Sequence, residues 1–149
     1  MMVVDYAHTP DALQKVLETL RPIASIRGGQ IYCVFGCGGD RDQEKRPLMG
    51  HIARNGAEHV FITSDNPRSE DPNQILKDME AGLGTEEALN TLSIVDRQQA
   101  IKMAIMLAQP GDIILVAGKG HETYQEIKGV KTDVDDVAIT QTLFNQLDK

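Results

Sequence analysis

The sequence lacks any apolar run that approaches the ~20 residues needed to cross a membrane. Residues 1–5 lack the basic and long apolar segments of a secretory signal. Lys and Arg number 15 against 22 acidic residues and are scattered, so the net charge of −7 argues against a general nucleic-acid binder. Arg41, Lys45 and Arg46 nevertheless form one local basic cluster. We therefore expect a cytoplasmic protein with no membrane partner and no nucleic-acid partner.

Cysteine is scarce, with Cys33 in an apolar run and Cys37 in the glycine-rich loop that follows. Their spacing matches neither a zinc-binding pair nor a thioredoxin motif, which predicts two reduced thiols and no metal site. No Ser/His/Asp or Cys/His set stands out, so a nucleophile-based hydrolase is unsupported. We assign no catalytic residue and no metal ligand to the chain.

The length of 149 residues and the 41% of apolar residues predict one globular domain with a sizeable core. The first predicted strand begins at residue 3, with no segment leading into it. A chain that opens on a strand in this way is typical of a piece taken from a longer protein. We expect this domain to be a monomer.

Strand-like and helix-like segments alternate along most of the chain. Helix starts are indicated by Thr9 before Pro10, by Pro47, by Asp71 before Pro72, and by Asp96. The predicted strands cover residues 3–6, 30–35, 59–63, 92–95 and 112–117, and the helices between them present apolar faces. This order predicts an α/β fold, Rossmann-like and three-layered, with a mostly parallel sheet.

The end of the chain departs from this alternation. Residues 124–127 and 130–133 flank Lys128-Gly129 and predict a C-terminal β-hairpin. Asp135-Asp136 then opens a last helix with Ile139, Leu143 and Leu147 on one side.

Polar clusters follow four of the predicted strands, at residues 5–11, 36–42, 65–68 and 118–122. Ligands of parallel α/β sheets bind at the carboxyl ends of the strands, where these clusters must meet. Glycines, charges and histidines on one rim indicate a binding site more strongly than any single motif does.

The cluster Asp65-Asn66-Pro67-Arg68 offers a carboxylate, an amide and a guanidinium on a rigid turn. Asp65 would attract an ammonium group, and Arg68 would bind a carboxylate through two parallel N–H bonds. A free amino acid carries both groups. The alternative is a plain strand-to-helix turn, because Asn-Pro commonly begins turns.

The other clusters are less specific by themselves. The glycine loop at 36–39 is either an anion cradle or a tight turn, and it is not the GxGxxG dinucleotide motif. Gly118-Lys119-Gly120 resembles part of a phosphate loop, but no complete GxxxxGK[ST] is present. Glu122 can accept an ammonium, and His121 is interpreted as a capping or solvated residue. His8 either contacts a nucleotide base or completes a turn.

Taken together, these stretches resemble the C-terminal domain of the Mur ligase family over nearly the whole chain. The matching stretches are DYAHTPD at 5–11, FGCGGDRD at 35–42, KRPLMG at 45–50, DNPR at 65–68 and AGKGHE at 117–122. The resemblance implies that residues 1–149 are the amino-acid-binding domain of a longer three-domain enzyme. That enzyme would perform an ATP-dependent amide ligation in cytoplasmic peptidoglycan synthesis, through an acyl phosphate.

The resemblance is greatest to members that add meso-diaminopimelate to UDP-N-acetylmuramoyl-L-alanyl-D-glutamate, which would be the two substrates besides ATP. It implies that meso-diaminopimelate binds to a set of six residues and that two others lie near the nucleotide. The six are Arg41, Asp65, Asn66, Arg68, Gly118 and Glu122, and the two are Asp5 and His8. The arginine of DNPR would recognise the second carboxylate, which lysine lacks.

The sequence departs from a complete ligase, because it contains no phosphate loop and no Mg²⁺-binding set. ATP and Mg²⁺ would be bound mainly by a central domain outside this chain, so we expect the chain alone to bind amino acid without catalysing ligation. Two alternatives remain open. One is a sister ligase that adds lysine, and the other is a stand-alone amino-acid-binding module without catalysis.

Overall fold

The structure is a computed structural model in which residues 1–119, 122, 124–133 and 135–146 are described. Five parallel strands form one sheet: β1 (Met2–Asp5), β2 (Ile31–Cys37), β3 (His59–Ser64), β4 (Thr91–Ser93) and β5 (Ile113–Ala117). Their spatial order is β1-β5-β2-β3-β4. All residues of β2 and β5 are buried, as expected for central strands covered on both faces.

Helices cover both faces of this sheet and give the predicted three layers. The α-helices are α1 (Pro10–Arg27), α2 (Lys45–Gly56), α3 (Pro72–Glu80), α4 (Arg97–Leu107) and α5 (Asp136–Gln146), and Glu87–Asn90 forms a short 3-10 helix. The first three helices share a core with Cys33 and Phe35 of β2. The last two share a separate core with Tyr32 and Val34, which point to the opposite face of the same strand. The fold prediction is confirmed.

Local signals placed the starts of α1, α3 and α4 correctly. Thr9 Oγ1 accepts a hydrogen bond of 3.2 Å from the Ala12 amide, which caps α1. Asp71 and Asp96 cap α3 and α4 in the same way. None of the helices among the described residues is both long and apolar enough to cross a membrane.

The predicted hairpin is also confirmed. Strands β6 (Tyr124–Ile127) and β7 (Val130–Asp133) pair antiparallel around Lys128 and Gly129. Both turn residues have positive φ, 50° and 79°, the combination that matches the twist of a two-residue hairpin. The last helix begins at Asp136, and the predicted Leu147 lies outside the described residues.

Three sequence-based expectations need correction around α2. The helix begins at Lys45 rather than at Pro47, and Cys37 ends β2 instead of lying in the loop. Arg46 has 0% exposure, so the cluster of Arg41, Lys45 and Arg46 is not a basic surface patch. The reason is that two carboxylates from later elements pair with Arg46 beneath the glycine loop. Leu83 lies beyond α3, which ends at Glu80.

Both cysteines are free and buried within the core. Burial raises the pKa of the Cys33 thiol and of the Cys37 thiol to about 12 in each case. Thiols with such a high pKa stay protonated and unreactive at neutral pH, which agrees with their assignment as structural residues.

Candidate functional site

The four polar clusters lie side by side at one edge of the sheet. They follow β1, β5, β2 and β3, which are consecutive in the spatial order, and all strands run in the same direction. The helix after β2 covers one face, and α5, which follows β5 and the hairpin, covers the other. In sheets of this kind, ligands bind at the carboxyl ends of the strands, where the connections go to opposite faces.

Asn66 connects three of these segments. Its carbonyl oxygen accepts a hydrogen bond of 2.7 Å from the Gly39 amide. Its side-chain Oδ1 accepts from the Glu126 amide at 2.9 Å and from Lys119 Nζ at 3.1 Å. Because Asn66 is only 3% exposed, these bonds keep the loop after β3 attached to the glycine loop and to the hairpin.

The glycine loop and the DNPR turn are in very close contact. A Cβ added to Gly39 would lie 1.7 Å from the Pro67 carbonyl oxygen, so no other residue fits there without moving the backbone. Arg68 Nη1 donates to the carbonyl oxygens of Gly39 at 2.9 Å and Asn66 at 3.3 Å. The glycine therefore serves the close approach of two main chains.

Arg68 adopts an unusual backbone conformation, with φ of 54°. A left-handed arginine costs roughly 1 kcal/mol, so surrounding contacts must hold it there. Its amide donates to the Glu126 carbonyl at 2.8 Å, and its own carbonyl accepts from the Lys128 amide. The hairpin thus determines where the guanidinium group lies.

Arg41 is exposed and lies over the same glycine loop. Its Nη1 donates to the Asp40 carbonyl at 3.0 Å. A Cβ on Gly38 would be 2.8 Å from Arg68 Nη1 and 3.6 Å from Arg41 Cγ, so the two arginines flank this glycine. The loop is tied to the next turn by Ser69, whose Oγ donates to Asp40 Oδ1 at 2.5 Å and lowers the pKa of that carboxyl group.

A buried ion network supports the glycine loop from below. Arg46 donates to Asp78 Oδ2 at 2.9 Å, to the Gly38 carbonyl at 3.1 Å and to Glu70. Burial by itself would lower the pKa of Arg46, but the hydrogen bonds to Glu70 and Asp78 outweigh it and raise that pKa. Glu70 also accepts from the Asp40 amide at 2.9 Å, which joins the network to the rim.

The pKa of Glu70 lies below its ordinary value of 4.5, chiefly because Arg46 donates to it. Because this pKa is lower in the folded state than in the unfolded state, the ionised Glu70 carboxylate stabilises the fold above about pH 4.5. That stabilisation is lost as the pH falls through the pKa of the folded state. We expect Glu70→Gln to be less stable than wild type at pH 7, with the difference shrinking towards pH 3. Urea unfolding at several pH values measures it. Glu86→Gln, at an exposed position, is the control, and a pH-independent difference for Glu70→Gln would contradict the assignment.

Lys119 is a residue that the sequence reasoning considered only as part of a phosphate loop. It is 0% exposed, and its Nζ lies 3.4 Å from Asp65 Oδ1 and 2.5 Å from the Tyr124 carbonyl oxygen. Burial lowers the pKa of Lys119, and the negative charge of Asp65 opposes that shift. A lysine between two glycines directly after a buried strand was the available signal.

Arg97 is a second residue that the sequence reasoning missed. It is buried, donates to both carboxylate oxygens of Asp136 at 2.8 and 2.7 Å, and donates to the carbonyls of Ser64 at 3.0 Å and Ala117 at 3.1 Å. Burial alone would lower the pKa of Arg97, but its hydrogen bonds to Asp136 dominate and raise it. The signal was a cation in the first turn of a helix, where the dipole disfavours it.

The remaining predicted residues lie at the neighbouring strand ends. Asp5 Oδ2 accepts from the Ala7 amide at 2.8 Å, and the Asp5 carbonyl accepts from the Gly118 amide at 3.1 Å. His8 is exposed, and its Nδ1 lies 3.0 Å from the Tyr6 carbonyl, which requires the proton on Nδ1. Asp5 and His8 are thus on the same rim, towards the β1 edge.

Gly118 and Glu122 follow β5. Gly118 has φ of 115°, and a Cβ there would lie 3.5 Å from Asp65 Oδ2, so the loop after β5 passes directly beside the Asp65 carboxylate. The half-buried Glu122 donates its amide to the Lys119 carbonyl at 2.9 Å. His121 lies outside the described residues.

A groove of about 510 Å³ between α1 and α2 also begins near this rim. Leu17, Leu48 and Ile52 line it, together with polar residues of both helices. It contains none of the residues that the sequence assigned to a ligand. The rim therefore remains the candidate site.

Comparisons with known proteins agree with the resemblance. A family described as "Mur ligase, glutamate ligase domain" matches residues 1–120. UDP-N-acetylmuramoyl-L-alanyl-D-glutamate–2,6-diaminopimelate ligases from Cytophaga hutchinsonii and Bacteroides thetaiotaomicron are 55% and 53% identical over 99% and 96% of the chain. A solved structure of a protein of the same name is 51% identical, with a TM-score of 0.92 over 99% of the chain.

More distant structures share only the fold, including a folylpolyglutamate synthase from Thermotoga maritima at 20% identity and a TM-score of 0.58. The chain spans 30% of the length of the two curated relatives and of the solved ligase chain. The family match covers well over half of the chain, and the sequence similarity continues beyond it into the hairpin and the last helix. On this evidence the chain belongs to the Mur ligase family.

Proposed function

We propose that this chain is the amino-acid-binding domain of an ATP-dependent ligase that adds meso-diaminopimelate to UDP-N-acetylmuramoyl-L-alanyl-D-glutamate. The relatives at 53–55% identity are named UDP-N-acetylmuramoyl-L-alanyl-D-glutamate–2,6-diaminopimelate ligases, which supports this proposal. The observation that carries the proposal is the position of Arg68. Only its Nη1 has a hydrogen-bond partner among the described residues, which leaves Nε and Nη2 available to a carboxylate.

The second carboxylate of diaminopimelate is the group that Arg68 would bind. A guanidinium forms two parallel hydrogen bonds with a carboxylate, which an ammonium cannot do. Lysine lacks this carboxylate, so lysine would leave the partly buried guanidinium without a partner. A site built to hydrogen-bond a polar group of the substrate strongly rejects analogues that lack this group. Arg41, on the other side of Gly38, would add positive charge to the same subsite.

The opposite end of the pocket carries negative charge. Asp65, Asn66, Gly118 and Glu122 surround the end of β5 and would bind the ammonium and the remaining polar groups of the amino acid. The reaction needs a neutral amine that attacks an acyl phosphate on the D-glutamate carboxyl group, after which phosphate leaves. The contribution of this domain would be to hold the amine in the orientation for that attack.

Asp5 and His8 would lie near the nucleotide. They are on the same rim as the amino-acid subsite, separated from it by the loop after β5. The proton on Nδ1 of a neutral His8 leaves Nε2 as an acceptor for an adenine amino group or a ribose hydroxyl.

Mg²⁺ and the phosphates of ATP would be held elsewhere. Within the described ranges, no group of three or more His, Cys, Asp or Glu side chains is arranged to hold a metal ion. The donor set of this rim therefore does not fit Mg²⁺, and we assign the metal and the phosphate loop to another part of a longer, three-domain protein. This chain would be its C-terminal domain, in a monomeric cytoplasmic enzyme, and would bind without catalysing alone. Closure of the domains would bring the amine to the acyl phosphate.

Calorimetric titration of this chain with meso-diaminopimelate, beside L-lysine at equal concentration, tests the proposal. We expect saturable heat with diaminopimelate and none with lysine. Equal heats with both would indicate a lysine-type or unselective site and contradict the assignment of Arg68. If neither amino acid binds to this chain, the same titration on the full-length protein tests whether the pocket needs the other domains. A full-length protein without a phosphate loop would instead support a binding module without catalysis.

A further inference from the structure

We propose that Lys119 is a positioning residue for the amino-acid pocket, holding the side chains of Asp65 and Asn66 and the start of the hairpin in their binding arrangement. This inference rests on the proposed function, because it concerns the same pocket. It adds a residue that would not touch the substrate itself but would act through those that do.

The contacts of Lys119 join three separate segments. Its Nζ lies 3.4 Å from Asp65 Oδ1, 3.1 Å from Asn66 Oδ1 and 2.5 Å from the Tyr124 carbonyl oxygen. Two of these contacts are hydrogen bonds, to Asn66 and to the Tyr124 carbonyl oxygen, and the third is an ion-pair contact with Asp65. Lys119 is unsuited to bind a ligand directly, because it has 0% exposure and its ammonium is held by oxygens of the protein itself.

Two of these partners, Asp65 and Asn66, are also held by hydrogen bonds from the hairpin. Gln125 Nε2 donates to the Asp65 carbonyl at 2.8 Å, and the Glu126 amide donates to Asn66 Oδ1 at 2.9 Å. The next hydrogen bond in the series runs from the Arg68 amide to the Glu126 carbonyl at 2.8 Å. Lys119 thus lies at the start of a chain of contacts that ends at the main chain of Arg68, the residue expected to bind the distal carboxylate.

The charges around Lys119 make its ammonium difficult to replace. Arg97, a buried cation that acts on Lys119 electrostatically, is already paired with both oxygens of Asp136. Without Lys119, the 8% exposed Asp65 would lose its cationic neighbour, and Asn66 Oδ1 would lose one of two donors. Both side chains would then turn towards water or towards each other, and the pocket would lose its shape before a substrate arrives.

The test is steady-state kinetics of the full-length ligase carrying Lys119→Met, which keeps the length of the side chain and removes the ammonium. We expect the KM for meso-diaminopimelate to rise about 10- to 100-fold, as losing a buried charged hydrogen-bond donor does. The KM values for ATP and for the UDP-linked substrate should change less than about twofold. If the substitution only reduced the fraction of folded enzyme, kcat would fall and all KM values would stay unchanged.

Lys131→Met is the matched control. Lys131 is exposed, and its ammonium lies 4.8 Å from the centre of the Tyr124 ring. It is therefore a neighbour of the residue that Lys119 contacts, but in the described part of the chain it forms no ion pair with Asp65 and no hydrogen bond with Asn66. We expect its KM values to equal those of the wild type. A rise in the diaminopimelate KM of equal size in both variants would overturn the proposal.

Lys119→Gln serves if the methionine variant does not fold. The glutamine amide can still donate to Asn66 and Tyr124, so the substitution removes only the charge beside Asp65. We therefore expect a smaller rise in the KM for diaminopimelate, about 5-fold. An unchanged KM for diaminopimelate in the folded Lys119 variants would overturn the inference. A wild-type enzyme that does not ligate diaminopimelate at all would instead contradict the proposed function, so the two failures are distinguishable.

Discussion

Arg97→Met is expected to lower the free energy of unfolding of this domain by about 3–5 kcal/mol, the usual cost of removing one partner of a buried ion pair. The substitution leaves the Asp136 carboxylate, which is 0% exposed, without its guanidinium. It also removes the donors to the Ser64 and Ala117 carbonyls, which end β3 and β5. Asp65 and Gly118 follow those carbonyls directly, so the loss acts at the base of the proposed pocket.

Urea unfolding followed by circular dichroism measures this change. Gln98→Met, at the exposed neighbouring position, is the control and should differ from wild type by no more than about 0.5 kcal/mol. The double variant Arg97→Met/Asp136→Leu should recover most of the loss, because it removes the unpaired charge. If Arg97→Met unfolds within about 1 kcal/mol of wild type, the pair does not stabilise the domain as its geometry indicates.

Arg68→Lys is expected to reduce kcat/KM for meso-diaminopimelate by about 10²- to 10³-fold in the full-length ligase. Lysine keeps the positive charge but cannot form two parallel bonds with a carboxylate while also reaching the Gly39 carbonyl. The discrimination against L-lysine as substrate should fall by a similar factor, since that discrimination would come from the same guanidinium. Competition between the two amino acids at equal concentration measures it.

Arg27→Lys is the control for this substitution. Arg27 lies in the last turn of α1 and donates through Nε to the Gly111 carbonyl at 3.3 Å, at the opposite edge of the sheet. The kcat/KM values of the Arg27→Lys variant should equal those of the wild type. If Arg68→Lys retains the wild-type preference for diaminopimelate, another residue recognises the distal carboxylate, and Arg41 is the next candidate.

The fold was predictable to the extent that short-range signals determine it. Thr9, Asp71 and Asp96 each cap a helix by bonding an amide two or three residues away, which a reader of the sequence can infer. The hairpin followed from alternation around Lys128-Gly129 in the same way. The boundary of α2 was misplaced, because Pro47 is a good first-turn residue but tertiary contacts of Arg46 extend the helix before it.

The rim was predictable for a similar reason. Parallel strands bring their carboxyl ends together whatever their order, so four polar clusters in sequence imply one site. The role of each side chain at this rim was harder to predict from the sequence. Asp65 and Asn66 were assigned to the substrate, and the structure shows part of their hydrogen-bonding capacity directed at Lys119 and the hairpin. Their contact with the amino acid remains a prediction.

The sequence by itself determined the family and the order of strands and helices, and it predicted the edge of the sheet that carries the site and the arginine suited to a second carboxylate. Only the tertiary structure decided that Arg46, Lys119 and Arg97 are buried supports of that site. Burial of a charged side chain depends on carboxylates and carbonyls that lie far away along the chain: Arg97 is 39 residues from Asp136, and Lys119 is 53 residues from Asn66. A lone charge in a sequence looks solvent-exposed, because nothing local shows the partners that stabilise it in the interior.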